Sequence, residues 1–197
     1  IVFAPHVETS SGIIMPDEYL KKITEAAHEV GALFVLDCIA SGCLWLDMKD
    51  VGIDILLSAP QKGWSSTPSS GIVMMNNKAI DRVEKSESNS FAMDLKKWHS
   101  IMKAYESGSY AYHATMPTDS LCHFRDRILE AKEYGFDKLN KNQWTLGEEV
   151  RSLLIKKGIQ SVAAKEFQAP GVIVSYTDNK KIQSGEKFKN LGIQIAA

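Results

Sequence analysis

Cysteine is scarce in this sequence. There are three in 197 residues, Cys38, Cys43 and Cys122, and none of the paired spacings of a metal site occurs. The odd count points to free thiols in a reducing compartment such as the cytoplasm, not to a disulfide framework. Neither sign of charge dominates, since 23 Lys+Arg stand against 24 Asp+Glu for a net charge of -1. That balance leaves no electrostatic footprint for nucleic acid or an anionic membrane. No apolar run approaches transmembrane length. The glycines form neither a Gly-x-Gly-x-x-Gly fingerprint nor a Gly-x-x-x-x-Gly-Lys-Ser/Thr phosphate loop. There is no internal repeat, no low-complexity tract, no visible signal peptide and no initiating methionine. The chain opens on Ile1 inside an apolar run, which reads as the middle of a longer protein. What remains is an ordinary globular composition, 44% apolar and 24% charged, with length enough for one core or one domain plus part of another.

The patterning alternates. Residues 1–4 read as a buried strand ended by Pro5, and residues 7–12 as a polar loop. An amphipathic helix follows over 17–30, with Leu20, Ile23, Ala26, Ala27 and Val30 on one face and Gly31 as its stop. Strands are expected at 32–36, 53–58 and 71–75, a helical turn at 47–51 and a helix at 78–85. Strands separated by helices argue for an α/β fold, a mostly parallel sheet flanked by helices on both sides. Ligands in such sheets bind beyond the carboxyl ends of the strands. His6, Thr9, Asp37 and Lys62 all fall at such ends. The second half is helical over 93–106, 118–134 and 137–157, with a loop at 107–117. A strand at 171–176, a helix at 180–190 and a final partial strand at 193–196 would begin a smaller α+β domain. The expected division is residues 1–135 as the later part of a large domain and 136–197 as a linking helix and the start of a small one.

Two of these strand ends carry the chemistry. Lys62 sits on the small-residue turn Ser58-Ala-Pro-Gln-Lys62-Gly63, just after an apolar run. Asp37 ends the apolar run Leu33-Phe-Val-Leu-Asp37. A lysine and a carboxylate at the ends of neighbouring parallel strands are the two protein groups pyridoxal 5'-phosphate requires. The amine forms a Schiff base with the aldehyde, and the carboxylate keeps the pyridine nitrogen protonated. Taken alone, a lysine after a strand is usually solvated and an aspartate there is usually a cap or turn residue. His6 is as well explained by structure as by ligand contact, and His113 by loop hydrogen bonds. Cys38 and Cys43 read as small buried thiols. Trp64 belongs to the rim of the site or to the core. Residues 65–70 resemble a linker in composition, but their position makes them the ordered loop that holds Lys62.

Four motifs occur in order: His6-Val-Glu-Thr-Ser-Ser-Gly12, Leu36-Asp-Cys-Ile-Ala-Ser-Gly42, Ser58-Ala-Pro-Gln-Lys-Gly63 and Tyr112-His-Ala-Thr-Met-Pro117. Together they resemble the class V aminotransferases of pyridoxal-phosphate fold type I, most closely the alanine–glyoxylate / serine–pyruvate group. The resemblance implies that Lys62 is the catalytic Schiff-base lysine and Asp37 the partner of the pyridine nitrogen. It implies that Ile39 packs on a ring face, Thr9 bonds the ring-hydroxyl region and Gln61 contacts the phosphate. It makes Tyr112 and Thr115 a pair that reaches the phosphate of the neighbouring subunit, so the active unit would be a homodimer with shared sites. The implied reaction passes an amino group from a small amino acid to a 2-oxo acid such as glyoxylate or pyruvate. The resemblance also implies parts that this sequence lacks: a glycine-rich phosphate loop, an aromatic residue stacked on the ring, and an arginine for the substrate carboxylate. The rival readings are a lyase or desulfurase of the same fold, and a non-catalytic scaffold derived from it.

Overall fold

The computed structural model describes residues 1–195. Its centre is a four-stranded sheet in the order β1 (Val2–Pro5), β4 (Phe34–Asp37), β5 (Ile55–Ser58), β6 (Ile72–Met75). The first three strands are parallel, and β6 returns antiparallel to β5 with Ser58 opposite Ile72. The excursion between β5 and β6 therefore leaves and re-enters the sheet at its carboxyl edge. That edge also ends β4, because Pro5, Asp37 and Leu57 lie in register across β1, β4 and β5. The expected α/β class is what the chain adopts.

Helix α1 (Asp17–Glu29) packs on the sheet through Leu20, Thr24 and Ala27, a spacing of four and three that makes one helical face. These residues join Phe34, Leu36, Cys38, Val51, Ile53 and Leu56 in the main core. Ala26 and Val30 were expected on that face and are exposed. Ala26 points around the helix, and Val30 lies past the last turn at the C-cap. β1 is likewise less buried than its composition suggests, with Phe3 59% exposed. It is an edge strand among the described residues, so only alternate side chains meet the core. β4 is central and is buried on both faces, from Phe34 through Leu36.

Asp54, just before β5, ties three elements together. Its fully buried carboxylate accepts hydrogen bonds from the Phe34 amide (2.8 Å) and the Asn76 side chain (2.9 Å), and it pairs with His28 Nε2 at 2.7 Å. Burial by itself would raise its pKa, but these bonds outweigh burial and hold it below the usual carboxylate value. No sequence signal marks Asp54, because its partners lie 20, 26 and 22 residues away.

Four segments depart from expectation. The polar stretch after Pro5 is a small antiparallel hairpin, β2 (Val7–Glu8) with β3 (Ile13–Ile14), closed by Gly12 at φ +69°. Residues 171–176 do not form a strand. They make one isolated bridge, Ser161 to Ser175, flanked by the Val162 amide on the Val174 carbonyl and the Tyr176 amide on the Gln160 carbonyl, and this pairing is too short to be a strand. The helix expected over 180–190 is two single turns, α7 (Lys180–Gln183) and α8 (Glu186–Lys189), broken at Gly185 with φ +74°. Residues 193–195 have no regular element, and the rest of the expected last strand lies outside the described residues.

The remaining helices follow the sequence pattern: α2 (Met48–Val51), α3 (Asn77–Glu84), α4 (Leu95–Glu106), α5 (Thr118–Tyr134) and α6 (Phe136–Lys156). A second, smaller core gathers Val7, Ile14, Leu44 and Ala169 beneath the hairpin. Arg151 of α6 is buried there and donates to the carbonyls of Ala169 and Val172, while the Ala169 amide donates to the Gly12 carbonyl at 2.9 Å. The hairpin beside the sheet edge is thus held from the far end of the chain.

Candidate active site

The site is built where β1, β4 and β5 end. An open cavity of about 270 Å³ is lined by Pro5, Val7, Glu8, Thr9, Asp37, Ile39 and Ala40. It brings together three residues singled out in the sequence: Thr9 from the hairpin turn, Asp37 from the last position of β4, and Ile39 two residues on. The Asp37 carboxylate accepts the Ile39 amide through Oδ1 at 2.8 Å, which curls the chain over the strand end. Oδ2 has no hydrogen bond among the described residues. Glu8 was not anticipated as a lining residue. Its Oε1 accepts the Ser10 amide (2.9 Å) and the Ser10 hydroxyl (3.0 Å), and those bonds lower its pKa.

Gln61 and Lys62 stand on the turn after β5, exposed, and are not part of that lining. The turn is ordered by Ser65 N–H to the Lys62 carbonyl and Ser66 N–H to the Pro60 carbonyl, both at 3.0 Å. Ser65 holds φ +55°, a region costly for a residue with a Cβ, so its surroundings over-determine the loop. Trp64 lies outside the cavity lining and packs in an aromatic cluster behind the turn. Its Nε1 donates to Ser58 Oγ at 3.1 Å, and its ring packs 4.5 Å from Trp45 and 5.9 Å from Phe124. Tyr112 and Thr115 bond each other at 3.1 Å on an exposed loop and do not line the cavity. His113 in that loop bonds the Phe91 carbonyl and packs between Phe91 and Trp98, a loop-fixing role.

His6 is structural. It is 3% exposed and its Nδ1 is 2.8 Å from Ser41 Oγ, so it pins the loop after Asp37 to the end of β1. Burial pushes its pKa down from 6.5 to about 4, against a smaller opposing pull from Asp17. The unfolded chain takes up this proton near 6.5, whereas the folded one resists until about 4. Stability is therefore complete above that window and falls as pH drops through it, by about 3 kcal/mol in all. Chemical denaturation of a His6→Asn variant between pH 7 and 4 is expected to lose most of that slope. A slope identical to that of the unsubstituted protein would assign it to other groups. Asp54 adds a second loss lower down, as pH falls from the ordinary carboxylate value through its own depressed one.

The chain itself, one that sets an acid, a hydroxyl and an apolar side chain at a parallel-sheet edge, has relatives. The sequence profile described as Aminotransferase class-V matches residues 1–188.

The chain belongs to that family.

An alanine–glyoxylate aminotransferase of Felis catus is 29% identical over 159 residues, which cover 78% of this chain and 36% of the cat protein. A 2-aminoethylphosphonate–pyruvate transaminase of Lysinibacillus sphaericus is 28% identical over 189 residues, covering 93% of this chain and 48% of that one. The crystal structure of an alanine–glyoxylate aminotransferase from Nostoc sp. superposes with a TM-score of 0.84 at 20% identity, over 96% of this chain and 50% of the other. The chain therefore spans about half or less of the length of these relatives. Class-V aminotransferases depend on pyridoxal phosphate, and the donor set fits that group. A carboxylate with a free oxygen, an apolar side chain and a hydroxyl converge on one cavity, as a protonated heteroaromatic ring with a hydroxyl substituent requires.

Proposed function

We propose that the complete protein is a pyridoxal-phosphate-dependent transaminase that moves an amino group from a small amino acid of the alanine or serine type to a 2-oxo acid such as glyoxylate or pyruvate. The observation that carries this reading is the convergence of Asp37, Thr9 and Ile39 on one cavity, in a member of this family. In this reading the Asp37 carboxylate would accept a charge-assisted hydrogen bond from the protonated ring nitrogen, Ile39 would cover a ring face and Thr9 would bond the ring hydroxyl. Lys62 would hold the aldehyde carbon of the resting cofactor, and Gln61 would contact its phosphate. Once bound, the cofactor supplies an electron sink for the pair left when the substrate Cα is deprotonated. The Lys62 amine, freed when the substrate amine takes its place on the aldehyde carbon, would be the base that takes the Cα proton and the general acid that gives it up again. Residues 1–135 would belong to the large domain and 136–197 would open the smaller one.

Two of the three cysteines, Cys38 and Cys43, lack the reactive thiolate that desulfurase chemistry needs. Burial pushes the Cys38 thiol up to about 12, and it raises Cys43 as well, so neither is a thiolate at neutral pH.

Borohydride reduction of the full-length protein, followed by peptide mapping, tests the assignment. The cofactor mass is expected on Lys62, and a label on another lysine would remove the reading. The assembly is proposed as a homodimer in which Tyr112 and Thr115 serve the partner's phosphate. Mixing Lys62→Ala subunits with Tyr112→Phe/Thr115→Ala subunits should restore one working site per mixed dimer. Verified mixed dimers without activity would show that each subunit serves its own cofactor.

A further inference from the structure

We propose that Gly42 and Gly63 are positioning residues whose backbone contact sets the place of Lys62 relative to Asp37. The inference rests on the roles assigned to those two residues above. A Cβ on Gly63 would lie 2.0 Å from the Gly42 carbonyl oxygen, 2.5 Å from its carbon and 2.9 Å from its Cα. All three atoms are main chain, so no side chain can swing aside. Gly63 does not occupy the left-handed region, so its own conformation would admit any residue. Only the contact demands glycine.

Both partners of the contact are tied to the site. Gly42 follows Ser41, which the buried His6 fixes at 2.8 Å, and it lies four residues beyond Cys38 and five beyond Asp37. Gly42 has φ +67°, and Gln143 of α6 stands on its other side, where a Cβ would come within 3.2 Å of Oε1. The loop after β4 is therefore held from two directions and acts as a wall. Gly63 is bonded in sequence to Lys62 and rests on that wall. The turn behind it is closed by the Ser65 and Ser66 amides and anchored by Trp64 on Ser58 and Trp45. The strands β4 and β5 fix where the two loops start, and the glycine contact fixes how near they come at their tips. A displacement of the order of 1 Å at a reacting group costs about 10²-fold in rate. A methyl group here forces a shift of that size.

The test compares Gly63→Ala with the unsubstituted full-length enzyme in two forms. In the cofactor-free form, amide exchange is followed by mass spectrometry. Exchange is expected to rise at least about tenfold at Ser65 and Ser66 and to stay unchanged in α1 and β4. In the holoenzyme, the cofactor is expected to remain on Lys62 after reduction, KM to change little and kcat to fall by about 10- to 100-fold. Unchanged exchange in the turn together with unchanged kcat would overturn the proposal. Loss of protection throughout the sheet would also overturn it, by making the contact a general folding requirement, unless the milder Gly42→Ala shows the local pattern. That variant moves the same carbonyl from the other side, through backbone strain at φ +67° and pressure on the far end of the Gln143 side chain, with no main-chain clash. It is expected to raise exchange in the 59–66 turn and lower kcat by a smaller factor, about 3- to 10-fold. An unaffected turn in Gly42→Ala would overturn the proposal on its own. Failure of the reading of Lys62 itself is seen separately, as a cofactor label away from Lys62 in the unsubstituted enzyme.

Discussion

Lys62→Ala in the full-length protein is expected to remove covalent attachment of the cofactor and to lower kcat by at least about 10³-fold. A positioned general acid–base alone contributes about 10²–10⁴-fold, and the covalent anchor is lost with it. The side chain is exposed and makes no hydrogen bond or ion pair among the described residues, so its removal leaves no buried group orphaned. The fold should survive, with a thermal midpoint close to that of the unsubstituted enzyme. Two measurements check this: the visible absorbance of the cofactor-bound protein, and transaminase turnover at saturating substrate. Added methylamine should restore part of the turnover, since a free amine can take the substrate Cα proton. Wild-type turnover in Lys62→Ala would end the assignment.

Asp37→Asn is the second large effect. The amide oxygen of asparagine can still accept the Ile39 amide, so the local curl that now rests on a 2.8 Å bond should persist. What disappears is the negative charge that holds the ring nitrogen protonated. A hydrogen bond to a charged group is worth about 1.5–3 kcal/mol, which converts to a fall in kcat of roughly 10- to 150-fold. KM for the amino acid should move less than kcat, because the interaction matters most where charge develops in the ring. Asp37→Ala should fall further, since the Ile39 amide also loses its acceptor. If Asp37→Asn kept full kcat with cofactor bound, the charge at this position would have no part in the chemistry.

Most helices were legible from the sequence because a helix is a local object. The helix over residues 118–134 matches α5 (Thr118–Tyr134), and the turn at 47–51 appears as α2 behind an Asp47 cap that accepts the Lys49 and Asp50 amides. The positions of Asp37 and Lys62 in the fold were legible for a similar reason: Asp37 ends one apolar run and Lys62 stands on the turn after another, and a strand end is visible without knowing the strand's neighbour. The misreadings share the opposite cause. Residues 171–176 have strand composition but pair only briefly with residues 160–162, and a strand is defined by its partner. The hairpin of β2 and β3 looked like loop because its two-residue strands are too short to alternate, and its register comes from the Ala169 and Val172 segment packed against Gly12.

Composition, periodicity and motif order by themselves determined the α/β class, the family resemblance and the candidate lysine and acid. All of these depend on short stretches of chain. Tertiary structure alone decided the rest: that β6 runs antiparallel and returns the Lys62 loop to the edge where Asp37 ends, that buried His6 bonds Ser41, that Asp54 ties β4 to the start of α3, and that Gly63 has no room for a side chain. In each case the deciding partner lies 14 or more residues away, from Ser58 opposite Ile72 outward to His6 and Ser41. At such separations the interaction is set by how the sheet orders its strands, and no local pattern of residues records it.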